Sequence, residues 1–275
     1  MVKMKAYDSP SIAILSVALI LIMVMAIAAL FGINVYQLSK GSASKQLDIY
    51  LLNNGMKAAR MYTEQSLNYS VIQAMYDNGK NGCHPVGSNN TAWTPESPSA
   101  EDIIDNLEVS LENKLAQYTS GRFLFLGRHI EIPTFSRNEM LLTREGDLLK
   151  VSVQSSKKIR YVETEEEELG ISKVELRAKA DMFKSFETEY FALYEAGREV
   201  FGKVEGKNCK DMETGNKVLE EDFSGFAAVA EVTEKTDDPC YAKAKVTVTG
   251  NQPVPVYDDG VKFVPLHIVY YIDIE

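Results

Sequence analysis

The stretch SKVELRAKADMFKSFETEYFALYEAGREVFGKV, residues 172–204, decides the fold. Its first third alternates. Ser172, Val174, Leu176, Ala178, Ala180 and Met182 take one side, and Lys173, Glu175, Arg177, Lys179 and Asp181 the other. An apolar period of two predicts a half-exposed strand over 172–182. The period then changes. Phe186, Tyr190, Leu193, Tyr194, Gly197, Val200, Phe201 and Val204 recur at three- and four-residue steps, predicting a helix over Glu187–Val204.

Toward the C-terminus a shorter helix is expected near Asn216–Phe223. Ala227–Thr233 and Tyr241–Thr249 read as a hairpin across Asp237-Asp238-Pro239. Pro253 and Pro255 mark a connection, and Val261–Ile274 a last strand with Pro265 at a bulge or edge. Toward the N-terminus, Lys158–Val162 is a strand. Met140–Thr143 and Leu148–Val153 flank Arg144–Asp147 as a hairpin. Ser99 with Asp102 approximates a capping box before a helix striped by Ile103, Leu107, Leu111 and Leu115, ending near Ser120-Gly121. Residues 78–99, rich in Gly, Asn, Ser and Pro, form a surface loop. Before it, Leu47, Leu51, Ala58, Tyr62, Tyr69, Ile72 and Tyr76 mark an amphipathic helix that Asp77-Asn78-Gly79 ends. The exported part is therefore α+β: two helices, then a mainly antiparallel sheet with an inserted helix, the first helix packing on a sheet face.

Ile12–Ile33 reads IAILSVALILIMVMAIAALFGI, without a charge and with Ser16 as its only polar side chain. A helix of this length rises roughly 33 Å, enough to cross a bilayer. Ser9 suits its cap and Pro10 its first turn. A cleaved signal peptide is the rival reading, with Gly41–Ser44 as the cleavage region. The apolar run is longer than such peptides carry, which favours an uncleaved anchor. Lys3 and Lys5, opposed only by Asp8, bias the N-terminus to the cytoplasm. The expected organisation is a cytoplasmic stub 1–10, a transmembrane helix 11–33, a stalk helix 34–80 and an extracytoplasmic domain 81–275.

The net charge of −10 gives no electrostatic footprint for nucleic acid, and no polybasic stretch marks a site for anionic lipid. Of three cysteines, Cys209 and Cys240 lie in polar, turn-like stretches and are the preferred disulfide pair; three free thiols is the other reading. Asn68-Tyr69-Ser70 and Asn89-Asn90-Thr91 are glycosylation sequons, Asn89 being the better acceptor. Glu163–Glu168 (ETEEEE) reads first as a solvated loop, second as a cation site. Cys83-His84 has neither zinc spacing nor, by itself, the form of a nucleophile–base pair. No serine-hydrolase, zinc-protease, phosphate-loop or dinucleotide motif occurs, so no catalytic residue, cofactor or metal ligand is assigned.

A short cytoplasmic tail, an apolar helix running into an amphipathic one and a C-terminal sheet domain resemble the type IV pilin-like plan, shared by archaeal membrane-anchored surface proteins of unknown function. The glutamate that bacterial pilins carry early in the apolar helix is missing, and Lys5-Ala6 before Tyr7 matches a prepilin peptidase site poorly. The resemblance implies a structural or interaction role, with the bilayer and itself or other surface subunits as partners. Assembly would use Ala18, Ala26, Ala28, Ala29 and Gly32, whose small side chains let helices approach closely. The alternative is an anchored ligand- or cation-binding ectodomain; an enzyme with an unfamiliar site comes third.

Overall fold

The inserted helix, α3 (Tyr190–Glu205), packs on a four-stranded antiparallel sheet ordered β11-β10-β9-β8. The strands are β8 (Lys217–Phe223), β9 (Phe226–Asp237), β10 (Cys240–Tyr257) and β11 (Val261–Ile274). One face of this sheet is closed by Ala228, Ala230, Ala242, Ala244, Val246, Ile268, Tyr270 and Ile272, all buried. The alanines let the helix come close, and the outer face stays wetter, as an antiparallel sheet allows. The expected helix at 216–223 is instead β8. Its apolar residues Leu219 and Phe223 are buried by pairing with β9, so tertiary context overrides a weak local signal.

This is a computed structural model, describing residues 46–47, 49–85, 87, 92–96, 98–163, 174–237, 239–257 and 260–274. No helix among the described residues is long and apolar enough to cross a membrane. The run 12–33, the stub before it and Ala18, Ala26, Ala28, Ala29 and Gly32 lie outside them. The chain divides into two units, 1–54 and 55–275. In the first, the described residues 46–47 and 49–54 are helical, with Leu47, Ile49 and Tyr50 exposed. In the second, residues 55–80 form a helix, α1 here, that belongs to the same unit as the strands.

The buried face of α1 differs from the predicted stripe. Tyr62 and Tyr69 are exposed, whereas Ala59, Thr63, Ser66, Leu67, Ser70, Val71 and Ala74 are buried. Small side chains face the core, and Thr63 and Ser66 satisfy their hydroxyls on the carbonyls of Ala59 and Tyr62. Helix α2 (Ala100–Thr119) runs antiparallel to α1: Lys114 pairs with Asp77 at 2.5 Å, and the Tyr62 hydroxyl donates to the Tyr118 carbonyl at 2.9 Å. Its Ser99–Asp102 capping box is complete, and Ile103, Leu107, Leu111 and Leu115 are buried.

Where one sheet was expected, three form among the described residues, all from antiparallel pairs. The smaller two share strands 122–187. One is ordered β1-β2-β5-β6, from β1 (Arg122–Phe125), β2 (Arg128–Glu131), β5 (Lys158–Glu163) and β6 (Val174–Lys179). The other is β3-β4-β7, from β3 (Met140–Glu145), β4 (Leu148–Val153) and β7 (Met182–Glu187). The alternating segment 172–182 is not one strand. It breaks at Ala180-Asp181, β6 pairing with β5 and β7 with β4. Strand β7 runs through Glu187, so α3 starts later than the periodicity predicted.

In β10 the register slips between Thr249 and Pro253. The bulge is held by Glu189, whose Oε2 accepts from the amides of Asn251 and Gln252 at 2.9 and 3.1 Å. The end of α1 lies close against β11. A Cβ on Gly79 would sit 2.4 Å from the His267 carbonyl oxygen, so only glycine fits.

Candidate functional site

The 78–99 loop collects the residue types from which a site might be built, and its described part is tied down at many points. Asn78, the last buried polar residue of α1, accepts a short hydrogen bond at Oδ1 from the Tyr190 hydroxyl. Its Nδ2 donates to the His84 carbonyl at 3.0 Å, and its own carbonyl accepts from the Cys83 amide at 2.8 Å. The Cys83 carbonyl in turn accepts from Asn106 of α2 at 2.9 Å. Cys83 itself sits at φ 63°, a left-handed conformation uncommon outside glycine.

Ten residues on, Trp93 locks the loop to the large sheet. Its indole stacks on Tyr270 with centroids 3.8 Å apart and planes 10° apart. Its ring nitrogen donates to the Gly82 carbonyl at 2.8 Å, and its amide to Tyr271 at 2.8 Å. Ala92 forms a parallel bridge with Tyr271. Gly197 makes room: a Cβ there would lie 3.0 Å from the indole. The Tyr270 hydroxyl donates to the Gly197 carbonyl at 2.6 Å, and that of Tyr194 to Pro98 at 2.8 Å. Arg198 reaches over the indole and donates to the carbonyls of Thr94, at 2.8 Å, and Pro95.

The electrostatics of this cluster oppose chemistry. Burial pushes the Cys83 thiol up to about 12, only partly offset by its hydrogen bond with Tyr190. A thiol in that state is not a nucleophile at neutral pH. Burial also raises the Tyr190 hydroxyl, and lowers His84, whose contacts are the Ala92 backbone and the charge of Asp102. The hydrogen-bond partner of the thiol is the Tyr190 hydroxyl. The arrangement fixes a loop.

Elsewhere, Cys209 and Cys240 are joined, Cα to Cα 6.0 Å, tying the turn after α3 to the start of β10. Asn68, half-buried, lies in the middle of α1, and Ser70 of its sequon is buried. Asn89 is outside the described residues, as are 164–168 of the acidic run. No group of three or more His, Cys, Asp or Glu able to hold a metal occurs among the described residues. His129 is exposed on β2, and His267 on β11 meets Tyr76 edge-on at 5.2 Å.

Sequence reasoning missed the Trp93 cluster. Arg198 and Thr94 are 104 positions apart, and no short motif encodes such a meeting. The available signal was a lone tryptophan in an otherwise polar loop, a large apolar surface that needs cover. Comparison of the chain with protein-family models, with curated proteins and with solved structures finds no match.

Proposed function

We propose that the chain is a single-pass membrane-anchored surface protein with a structural or interaction role. The carrying observation is the uncharged apolar run 12–33, placed ahead of a folded unit that begins at residue 55. The fold supports the reading in a second way. Asn78, Tyr190 and Asn106 use their polar groups to hold the loop that carries the buried Cys83 thiol. A disulfide between Cys209 and Cys240 suits an oxidising, extracytoplasmic setting. Ala18, Ala26, Ala28, Ala29 and Gly32 are the positions through which such anchors would associate.

The test is fractionation of cells making the full chain. It should stay with membranes in alkaline carbonate, and protease added outside intact cells should degrade the folded unit. Release by carbonate would reject the anchor, and protection from protease would reject the orientation. Replacing Ala28 and Gly32 by leucine should reduce cross-linking between copies if the span is an assembly element.

A further inference from the structure

Two large apolar side chains stand exposed in one row of the β3-β4-β7 sheet. Leu141 pairs with Ser152, and Ser152 with Phe183, so the three share a side. At two strand spacings, Leu141 and Phe183 are about 9–10 Å apart. Leu141 is 60% exposed and Phe183 68%. Single apolar residues on a surface are ordinary, but two in register across a strand make a platform. The other side of the same strands buries Leu142, Leu149, Val151, Val153 and Met182, so the core does not use this ring.

At Phe183 the platform borders a cleft of about 410 Å³, lined also by Ser152, Gln154, Asp181 and, from α1, Arg60 and Glu64. Each charge in it has an opposite charge beside it. Arg60 Nε meets Glu64 Oε1 at 3.2 Å. Asp181 lies 3.9 Å from Lys179 and accepts from the Ser155 amide at 3.3 Å. The next row on the same side is Thr143, Lys150 and Ser185, with Lys150 paired to Glu145 at 2.5 Å. On a chain of net charge −10 this is a locally neutral place, which gives an ion no advantage. Its polar groups are a guanidinium, two carboxylates, an amide and a hydroxyl, a mixed set of donors and acceptors.

An aromatic wall with neutralised planar polar groups around it matches the two surfaces of a sugar ring. The C–H bonds of a pyranose pack on the negative face of an aromatic ring, and its rim of hydroxyls both donates and accepts. An apolar peptide or acyl chain would desolvate the same polar groups without pairing them, at a cost. We propose that this cleft binds a neutral saccharide. One ring stacks on Phe183 and hydrogen-bonds to Arg60, Glu64, Gln154 and Asp181, and the next runs over Ser152 toward Leu141. The volume falls within the range of small-ligand sites, about 300–1,000 Å³. The inference goes beyond the anchored reading and does not depend on it, since all these residues lie in the folded unit 55–275.

The test is saturation-transfer NMR on the full chain in a zwitterionic detergent that carries no sugar. The probes are maltose, cellobiose, lactose and mannobiose at ~10 mM, above a millimolar Kd. Saturation should reach at least one of them, most strongly at the C–H protons of one ring face. Phe183→Ala should remove the signal, and Phe183→Trp, which keeps the platform, should retain it. Arg60→Ala with Gln154→Ala should weaken binding by about tenfold, as for one or two lost hydrogen bonds. All four positions are exposed or half-exposed, so an unchanged Tm is the check that the variants fold. Cyclohexanol, a saturated ring without the rim of hydroxyls, is the control. No transfer to any of the four sugars overturns the proposal, as does transfer that Phe183→Ala leaves intact. Cyclohexanol binding as tightly as the best sugar also overturns it and makes the cleft an apolar docking face. A chain that stays in solution without detergent counts against the anchor alone.

Discussion

Cys83 illustrates how one side chain can look reactive and be the reverse. Its burial at 0% exposure, with the thiol raised to about 12, leaves almost no thiolate at neutral pH. We expect the native chain to show no reaction with a thiol reagent on the timescale of a free cysteine, and one thiol to appear in denaturant. Prompt native labelling would contradict the burial. His84 makes a second prediction. Burial lowers its pKa in the fold below the ordinary 6.5. The unfolded chain therefore binds the proton first as pH falls, and stability drops from 6.5 downward until the folded imidazole also protonates. His84→Gln should flatten that part of a Tm-against-pH curve; an unchanged slope would sink the assignment. Both residues were noticed in the sequence. Their environments were not legible there, because burial depends on Tyr190, Asn78 and Asn106, which no local pattern links to them.

Elements were more legible than faces. The stripe of α2 and the buried side of α3 follow the expected spacing, since large apolar residues mark them. On α1 the same reasoning favoured Tyr62 and Tyr69, whose size suggests a core, while the true interface is built of Ala59, Ser66, Ser70 and Ala74. Close approach needs small residues, and hydropathy alone ranks them low. The consequence is testable. Ala59→Leu or Ser70→Leu should overpack the interface and cost about 1–3 kcal/mol. Tyr69→Ser should stay within about 0.5 kcal/mol, as for an ordinary surface change. Equal losses in denaturant titrations would restore the tyrosine face. Segment 172–182 shows the other limit: alternation predicts extended backbone correctly but cannot tell that Ala180-Asp181 passes the chain from one sheet to the next.

At the scale of the molecule, the Cys209–Cys240 bond spans 31 positions and ties α3 to the hairpin beneath it. Chain-entropy arguments give a loop of that length about 3–4 kcal/mol. Replacing both cysteines by serine should lower stability by an amount of that order, and much less in a reducing buffer comparison where both proteins are open-chain. The α+β class was readable from the switch of period at 182–190, whereas the division into three sheets was not, since it depends on which strands pair.

The rung between Ala92 and Tyr271 acquires a meaning beyond holding a loop. Strand β11 is the border of its sheet, and a border of unpaired amides invites the same strand of another copy. One parallel rung, fastened by the Trp93 indole, blocks that invitation along its most apolar half. Trp93→Ser should release the guard and leave a cavity beside Tyr270 and Gly197, with the strands themselves retained. The expected phenotype is concentration-dependent association, seen as light scattering that grows on storage, in a protein whose far-UV spectrum is nearly unchanged. A variant that stays monodisperse would mean that Pro265 and the end of α1 suffice as sentinels of that border.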